Sequence, residues 1–385
     1  MHGRALPGDL LAAPGFSMSR RTTRTVQIGD LKVGHEHPIW VQSMTCTDTA
    51  DVAGTIAQIE GLVAAGCEMV RVTVNHDKAA DALPEIRRAC KVPLIADIHF
   101  THRLALRSID AGVDKVRLNP GNVGSLDRVR EVVRAADAAG VALRIGVNSG
   151  SVEKDLLEMH GWPSPQAMVE SALRHSDTVE QMGFTNFVVS LKSTDTRTVL
   201  ESNRLFAAQT DIPLHLGVTE AGRPPYGTIK SAAGLAPLLF EGIGDTIRVS
   251  LTADPVAEIP VAYDILKATG ARVTSPELIA CPTCGRIEID LEQLMDELEE
   301  RLRGETVPCK IAVLGCVVNG PGEASEADIG IAGGGGKGVL YRKGKQVRIV
   351  PEAEMVDALV EEIRAWKVER EAATAAELQS PPVSA

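Results

Sequence analysis

The chain has 385 residues, 44% hydrophobic and 24% charged, with a formal net charge of −11 and a mean hydropathy of +0.02. That length exceeds what one hydrophobic core usually serves, so a large domain followed by a smaller one is expected. The balance excludes a disordered or fibrous chain, no apolar run is long enough for a membrane span, and the acidic surplus argues against a nucleic-acid partner.

Residues 1–21 are rich in Gly, Pro, Ser and Arg without periodicity and are expected to form a flexible tail; 371–385 are expected to form another. The N-terminus lacks the ordered charge, apolar and cleavage regions of a secretory signal, so the chain reads as cytoplasmic. From 22 to 270, short β-branched stretches alternate with longer helical ones. The strands are expected at Ile39 to Gln42, Met69 to Val74, Leu94 to Ile98, Val116 to Leu118, Leu143 to Val147, Phe187 to Lys192, Leu214 to Thr219 and Thr246 to Leu251. Helical stripes such as Ile56, Ile59, Leu62 and Val63, or Leu126, Val129, Val132 and Val133, follow them. Eight βα units match a (β/α)8 TIM barrel better than an open sheet.

After Gly270 the texture changes, with Arg272 to Pro276 as a linker. Residues 271–370 then read as a smaller α/β domain. A helix is expected over Asp290 to Arg303, strands at Lys310 to Leu314 and near Ile329, a hairpin around Lys343 to Lys345, and a helix from Glu352 to Lys367.

The barrel strands carry a quasi-repeat of apolar residue, arginine, apolar residue. It places Arg71, Arg117, Arg144 and Arg248 at matching positions, and Lys192 ends the sixth strand. Period two turns such residues the same way, into the barrel mouth. An unpaired guanidinium there is costly, so the cations must meet carboxylates or a bound anion. Asp97, Asp114 and Glu220 could build an internal ion-pair network. The alternative is a polyanion site at the C-terminal face, with enough cations for more than one phosphoryl group and with Asn148 and Ser250 as polar contacts. Glu220 could exchange a proton or serve as an ion-pair partner. His99 beside Asp97 suggests a metal site, but no His-rich partner strand accompanies it, which leaves His99 as a substrate contact. The run Gly333 to Gly336 before Lys337 lacks the Ser or Thr of a phosphate loop, because Gly338 stands there; it reads as a flexible turn.

Seven cysteines, an odd number, favour metal or redox use over a disulfide framework. Cys46, Cys67 and Cys90 read as buried structural residues. Cys281 and Cys284 form a C-x-x-C pair, and Cys316 follows in a Gly- and Pro-rich loop ending at Glu323. Zinc held by Cys281, Cys284, Cys309 and Cys316 is one possibility. An iron–sulfur cluster on Cys281, Cys284 and Cys316 with a weaker fourth ligand is the other, and the acidic loop favours it.

Several strings occur in one order: Ser43-Met44-Thr45, Ala96-Asp97-Ile98-His99-Phe100, Asn119-Pro120-Gly121-Asn122, Arg144-Ile145-Gly146-Val147-Asn148, Leu214 to Gly222, Gly242 to Thr246, Ala280 to Cys284 and Gly315 to Glu323. With these the chain resembles, over about 22–367, the 4-hydroxy-3-methylbut-2-enyl diphosphate synthase family in its two-domain bacterial form. The resemblance implies a [4Fe-4S] cluster ligated by Cys281, Cys284, Cys316 and Glu323. It also implies two-electron reductive opening and dehydroxylation of 2-C-methyl-D-erythritol 2,4-cyclodiphosphate, with ferredoxin or flavodoxin as donor. Arg71, Arg117, Arg144, Asn148, Lys192, Arg248 and Ser250 fall where that family holds the diphosphate, and Glu220 where it keeps an acid close to the substrate. A homodimer, with one subunit's cluster domain over the other's barrel, is implied as well. The terminal tails have no family role, and the domain inserted in plant-type members is absent.

Overall fold

The computed structural model of the chain describes residues 19–99, 101–119, 121 and 125–379, with side chains described as far as 372. Residues 1–18 and 380–385 of the expected tails lie outside the described residues, as do Phe100, Pro120 and Asn122. The chain forms two compact units, one ending at Arg272 and one beginning at Val273.

The first unit opens with an antiparallel hairpin, β1 (Val26–Ile28) and β2 (Leu31–Val33). Eight parallel strands follow: β3 (Trp40–Met44), β4 (Met69–Thr73), β5 (Leu94–Asp97), β6 (Lys115–Leu118), β7 (Ala142–Asn148), β8 (Phe187–Lys192), β9 (His215–Leu216) and β10 (Thr246–Ile247). Neighbours in sequence are neighbours in the sheet, β10 pairs with β3, and a single parallel bridge between Val189 and Leu214 closes the ring. This is a (β/α)8 barrel. Its strands are near-continuous apolar runs because both faces are covered. Val70, Val72, Leu143, Ile145 and Val189 pack outward against the helices in one large core.

Helix ends follow local chemistry. The Asp51 side chain accepts from Gly54 N–H to start Val52–Ala64, and Ser164 caps Pro165–Glu180 through Ala167 N–H. The last two strands are shorter than the sequence suggests. Beyond Leu216 and Ile247 the regular ladder stops, and only single bonds continue it, such as Arg248 N–H to the Leu216 carbonyl at 3.0 Å.

The short hairpin, which the pattern of apolar residues does not announce, decides which end of the barrel is open. Val26, Ile28 and Val33 pack with Trp40, Met69, Ile95, Ala142 and Val188, the inward residues near the N-terminal ends of the strands. Trp40 Nε1 donates to the Lys32 carbonyl at 2.7 Å and holds the plug in place. Arg20 and Arg21, expected in the loose tail, are tied down instead. Arg20 donates to Asp245 at 2.7 Å and to the Gly244 carbonyl, and Arg21 donates to the Thr210 carbonyl at 2.6 Å. Their guanidiniums satisfy carbonyls that a turn leaves unpaired.

The second unit is a five-stranded sheet in the order β11 (Glu277–Ala280), β12 (Lys310–Leu314), β13 (Ile329–Gly334), β14 (Lys337–Arg342) and β15 (Lys345–Pro351). The first three strands are parallel and the last two antiparallel. Alternation sorts the faces: Ile311 and Val313 meet helices Leu291–Arg301 and Met355–Gln379, while Ala312 and Leu314 meet the short helix Gly320–Glu326 through Ala324. Of the run Gly333 to Gly336, the first two residues end β13, paired with Gly338 and Lys337, and Gly335 and Gly336, both at positive φ, make the two-residue turn into β14. The final helix corrects the sequence expectation. It continues to Gln379 through the supposed tail, because Glu371 to Gln379 lacks an apolar stripe yet is built mostly from strong helix formers.

Candidate active site

With the N-terminal end plugged, period two carries the interior from apolar to charged. Met69 is followed by Arg71, Ile95 by Asp97, Ala142 by Arg144, and Val188 by Ser190 and Lys192. Asp97, Arg117 and Arg144 are successive register partners on β5, β6 and β7. These side chains reach a cavity of about 280 Å³ at the C-terminal mouth. All seven residues expected to hold a diphosphate line it, together with Met44, Asp97, His99, Ser190 and Thr219.

Carboxylates compensate only part of this charge. Asp97 accepts from Arg117 Nη1 at 3.2 Å and lies 3.7 Å from Arg71 Nε. Glu258, from the helix after β10, lies 3.5 Å from Arg248 Nε and also accepts from Ser43 Oγ and Leu251 N–H. Arg71 further leans on the Met44 sulfur, a weak acceptor. Asp114 is no interior partner. It lies before β6, at the other end of that strand, and binds Arg87 and Leu94 N–H. Glu220 is exposed, does not line the cavity, and follows the lining residue Thr219 with a left-handed φ of 53°. For a non-glycine residue that backbone is strained, as is common in functional loops.

Arg144 is 1% exposed, and its Nε and Nη1 have no hydrogen-bond partner among the described residues. Burial, then Arg71 and Arg117, push its guanidinium well below its ordinary range, which measures how unwelcome the charge is without an anion. Burial likewise brings Arg71 down to about 10 despite Asp97. Burial alone would raise the Asp97 carboxyl, but Arg71, Arg117 and Arg144 outweigh it and hold it below the usual range.

Lys115 escaped the sequence analysis, although its place two residues before Arg117 on one strand is the signal that finds it. It is fully buried, and its partners among the described residues are Gln42 Oε1 at 3.5 Å and the Met69 sulfur at 3.9 Å. Burial, then Arg144 and Arg71, push its amine well below the ordinary lysine range. Between that lowered pKa and the unfolded one, the unfolded chain holds the extra proton, so this lysine destabilises the fold more as pH falls. Lys115→Met is expected to stabilise the protein by about 1–3 kcal/mol near neutrality. The gain, measured by chemical denaturation, should shrink as pH rises toward the unfolded lysine pKa of about 10.4; a gain independent of pH would refute the account.

A missing side chain makes room for one of the cations. A Cβ at Gly146 would stand 2.6 Å from Arg117 Nε. Gly146→Ala should therefore displace Arg117 and weaken pyrophosphate binding, read by calorimetry, by about tenfold or more. Unchanged affinity would remove Arg117 from the binding set.

In the second unit, Cys281 follows the end of β11 and Cys316 lies just beyond β12. The two strands are parallel neighbours, so both thiols sit at one end of the sheet, and Gly315 N–H donates to Cys281 Sγ at 3.3 Å. Backbone N–H groups of Asn319 and Val318 lower the Cys316 thiol. The Arg286 backbone and guanidinium lower Cys284. Arg286 also interacts with the charges of Cys316 and Glu323, which places these groups in one neighbourhood. Lowered thiols are the ligating, thiolate-prone kind. Among the described residues no three His, Cys, Asp or Glu side chains converge as for a single metal ion.

Cys309 is a different residue in kind. It is core-packed, pushed up to about 12 by burial, and lies before β12 while Cys316 lies after it. Five strand residues separate them, roughly 16 Å of extended chain, so the four-thiol zinc arrangement fails. Cys67 and Cys90 are buried as expected, but Cys46 is exposed on the loop after β3, where its sulfur accepts from Gln58.

A closed barrel with an undercompensated cationic mouth, followed by a small domain presenting lowered thiols and a carboxylate, defines a two-domain barrel enzyme for a polyanionic substrate. The chain matches the GcpE TIM-barrel domain over residues 23–263 and the GcpE protein C-terminal domain over residues 277–365. It belongs to the GcpE family. It is 51% identical to "4-hydroxy-3-methylbut-2-en-1-yl diphosphate synthase (flavodoxin)" of Nitratidesulfovibrio vulgaris, covering 95% of this chain and 98% of that one. Relatives of the same name in Aquifex aeolicus and Geobacillus thermodenitrificans are 52% and 53% identical, covering 90% and 89% of this chain and 97% and 92% of theirs.

Proposed function

We propose that this chain reductively opens 2-C-methyl-D-erythritol 2,4-cyclodiphosphate and removes a hydroxyl to give 4-hydroxy-3-methylbut-2-enyl diphosphate, with flavodoxin or ferredoxin as electron donor. The observation that carries this is the buried Arg144, two of whose guanidinium nitrogens lack a hydrogen-bond partner among the described residues, in the mouth of a barrel whose relatives bear that enzyme name. Arg71, Arg117, Arg144, Lys192 and Arg248 clamp the two phosphoryl groups, and Asn148 and Ser250 orient them through neutral hydrogen bonds. The same cations stabilise the phosphate oxygen that departs as the ring opens. Glu220 is assigned a proton-handling role at the rim, where its exposed carboxyl follows Thr219.

Cys281, Cys284 and Cys316, with Glu323, would hold a [4Fe-4S] cluster: three thiols suit iron, and a carboxylate is a more labile fourth ligand. Such a cluster supplies electrons one at a time and an iron site with an exchangeable ligand. Among the described residues no helix is long and apolar enough to cross a membrane. A cytoplasmic homodimer completes the proposal.

The test is anaerobic purification with iron, sulfide and zinc analysis and an absorption spectrum, then a cyclodiphosphate assay with reduced flavodoxin. A brown protein with about four irons per chain and turnover is expected. A colourless protein with one zinc and no turnover would overturn the proposal.

A further inference from the structure

Arg71, Arg117 and Arg248 are each steadied by a carboxylate, which also cancels part of their charge. Lys192 is held differently. Its Nζ meets Nε2 of His215 at 3.1 Å, and His215 Nδ1 lies 2.7 Å from Thr246 Oγ1. His215 and Thr246 are fully buried. The passage exists because β9 is followed by Gly217, whose Cβ would stand 2.6 Å from the Lys192 Nζ. A lysine amine donates to Nε2, so the ring proton belongs on Nδ1, directed at Thr246.

A carboxylate in place of the imidazole would grip Lys192 equally well but neutralise it. A neutral ring grips it and leaves its charge for a ligand. The ring stays neutral because burial, then Lys192, Arg144, Lys115 and Arg71, all oppose a proton on it. We propose that His215 is a positioning residue that seats Lys192 in the cavity as an uncompensated cation for one phosphoryl group. This rests on the polyanion role of the mouth given above.

The full-length protein is titrated with inorganic pyrophosphate by calorimetry over a range of pH. Lys192 faces Arg144, Arg71, Arg248 and Arg117, all of which oppose its protonation along with burial, so affinity should fall as pH rises and Lys192 loses its proton. His215→Leu removes an acceptor that favours the charged amine. It should weaken binding about tenfold and move the fall in affinity to lower pH, whereas His215→Gln, a neutral acceptor, should restore both. Uniform weakening at every pH, or no rescue by glutamine, would overturn the positioning role. If His215→Leu does not fold, Thr246→Val, which removes only the partner of Nδ1, is judged by the same shift in pH. Failure of the unmodified protein to bind pyrophosphate would instead overturn the polyanion role of the mouth.

Discussion

Cys316→Ala is expected to yield an iron-poor protein with activity below about one-hundredth of the parent, since even groups that merely support a metal ligand cost ten- to a hundredfold. Cys316 lies beyond the end of β12, in the same neighbourhood as Cys284 and Glu323, with backbone N–H groups favouring its thiolate. Cys309→Ala is the matched control. Its thiol belongs to the hydrophobic core and is raised rather than lowered, so this change should cost some stability and no iron. Glu323→Ala should fall between them, keeping most of the iron and losing activity, because a single carboxylate ligand contributes less to retention than three thiolates. Iron and sulfide analysis separates these outcomes without reference to turnover. Equal iron loss in the Cys316 and Cys309 variants would overturn the ligand assignment.

Arg144→Met is the second large effect, and it separates function from stability. Arg144 has two buried nitrogens without partners among the described residues and is surrounded by other cations. Exchanging it for an apolar side chain of similar length should leave the ligand-free protein as stable as before or more so. The same change deletes charge-assisted hydrogen bonds to the ligand, about 3 kcal/mol or more, and pyrophosphate affinity should fall about a hundredfold. Thermal unfolding with and without pyrophosphate reads both quantities: the ligand-free midpoint holds or rises, and the ligand-induced increase disappears. A lower ligand-free midpoint with the increase preserved would mean that Arg144 is structural.

The barrel was legible in the sequence because eight short β-branched stretches alternate with helices that carry regular apolar stripes. The cationic mouth was legible because arginines two residues from apolar neighbours must share a face. Partners brought from distant elements were not: Glu258 arrives from the helix after β10, and no local pattern links it to Arg248. The plug was hidden because two strands of three residues leave too few positions to show alternation. Cys309 could have been separated from Cys316 in advance, since an apolar strand was already expected between them. The terminal helix was missed for the opposite reason, as Ala and Glu hold a helix by propensity without a stripe to betray it.

The plug made by Val26, Ile28 and Val33 gives the cationic well a single opening. Low-dielectric walls and an apolar floor confine the field of the arginines, so its lines leave through the C-terminal mouth alone. A protein with a net charge of −11 thereby presents an attractive funnel to anions. Capture of a doubly phosphorylated molecule should be steered and fast at low ionic strength, and it should slow markedly as salt shortens the reach of that funnel.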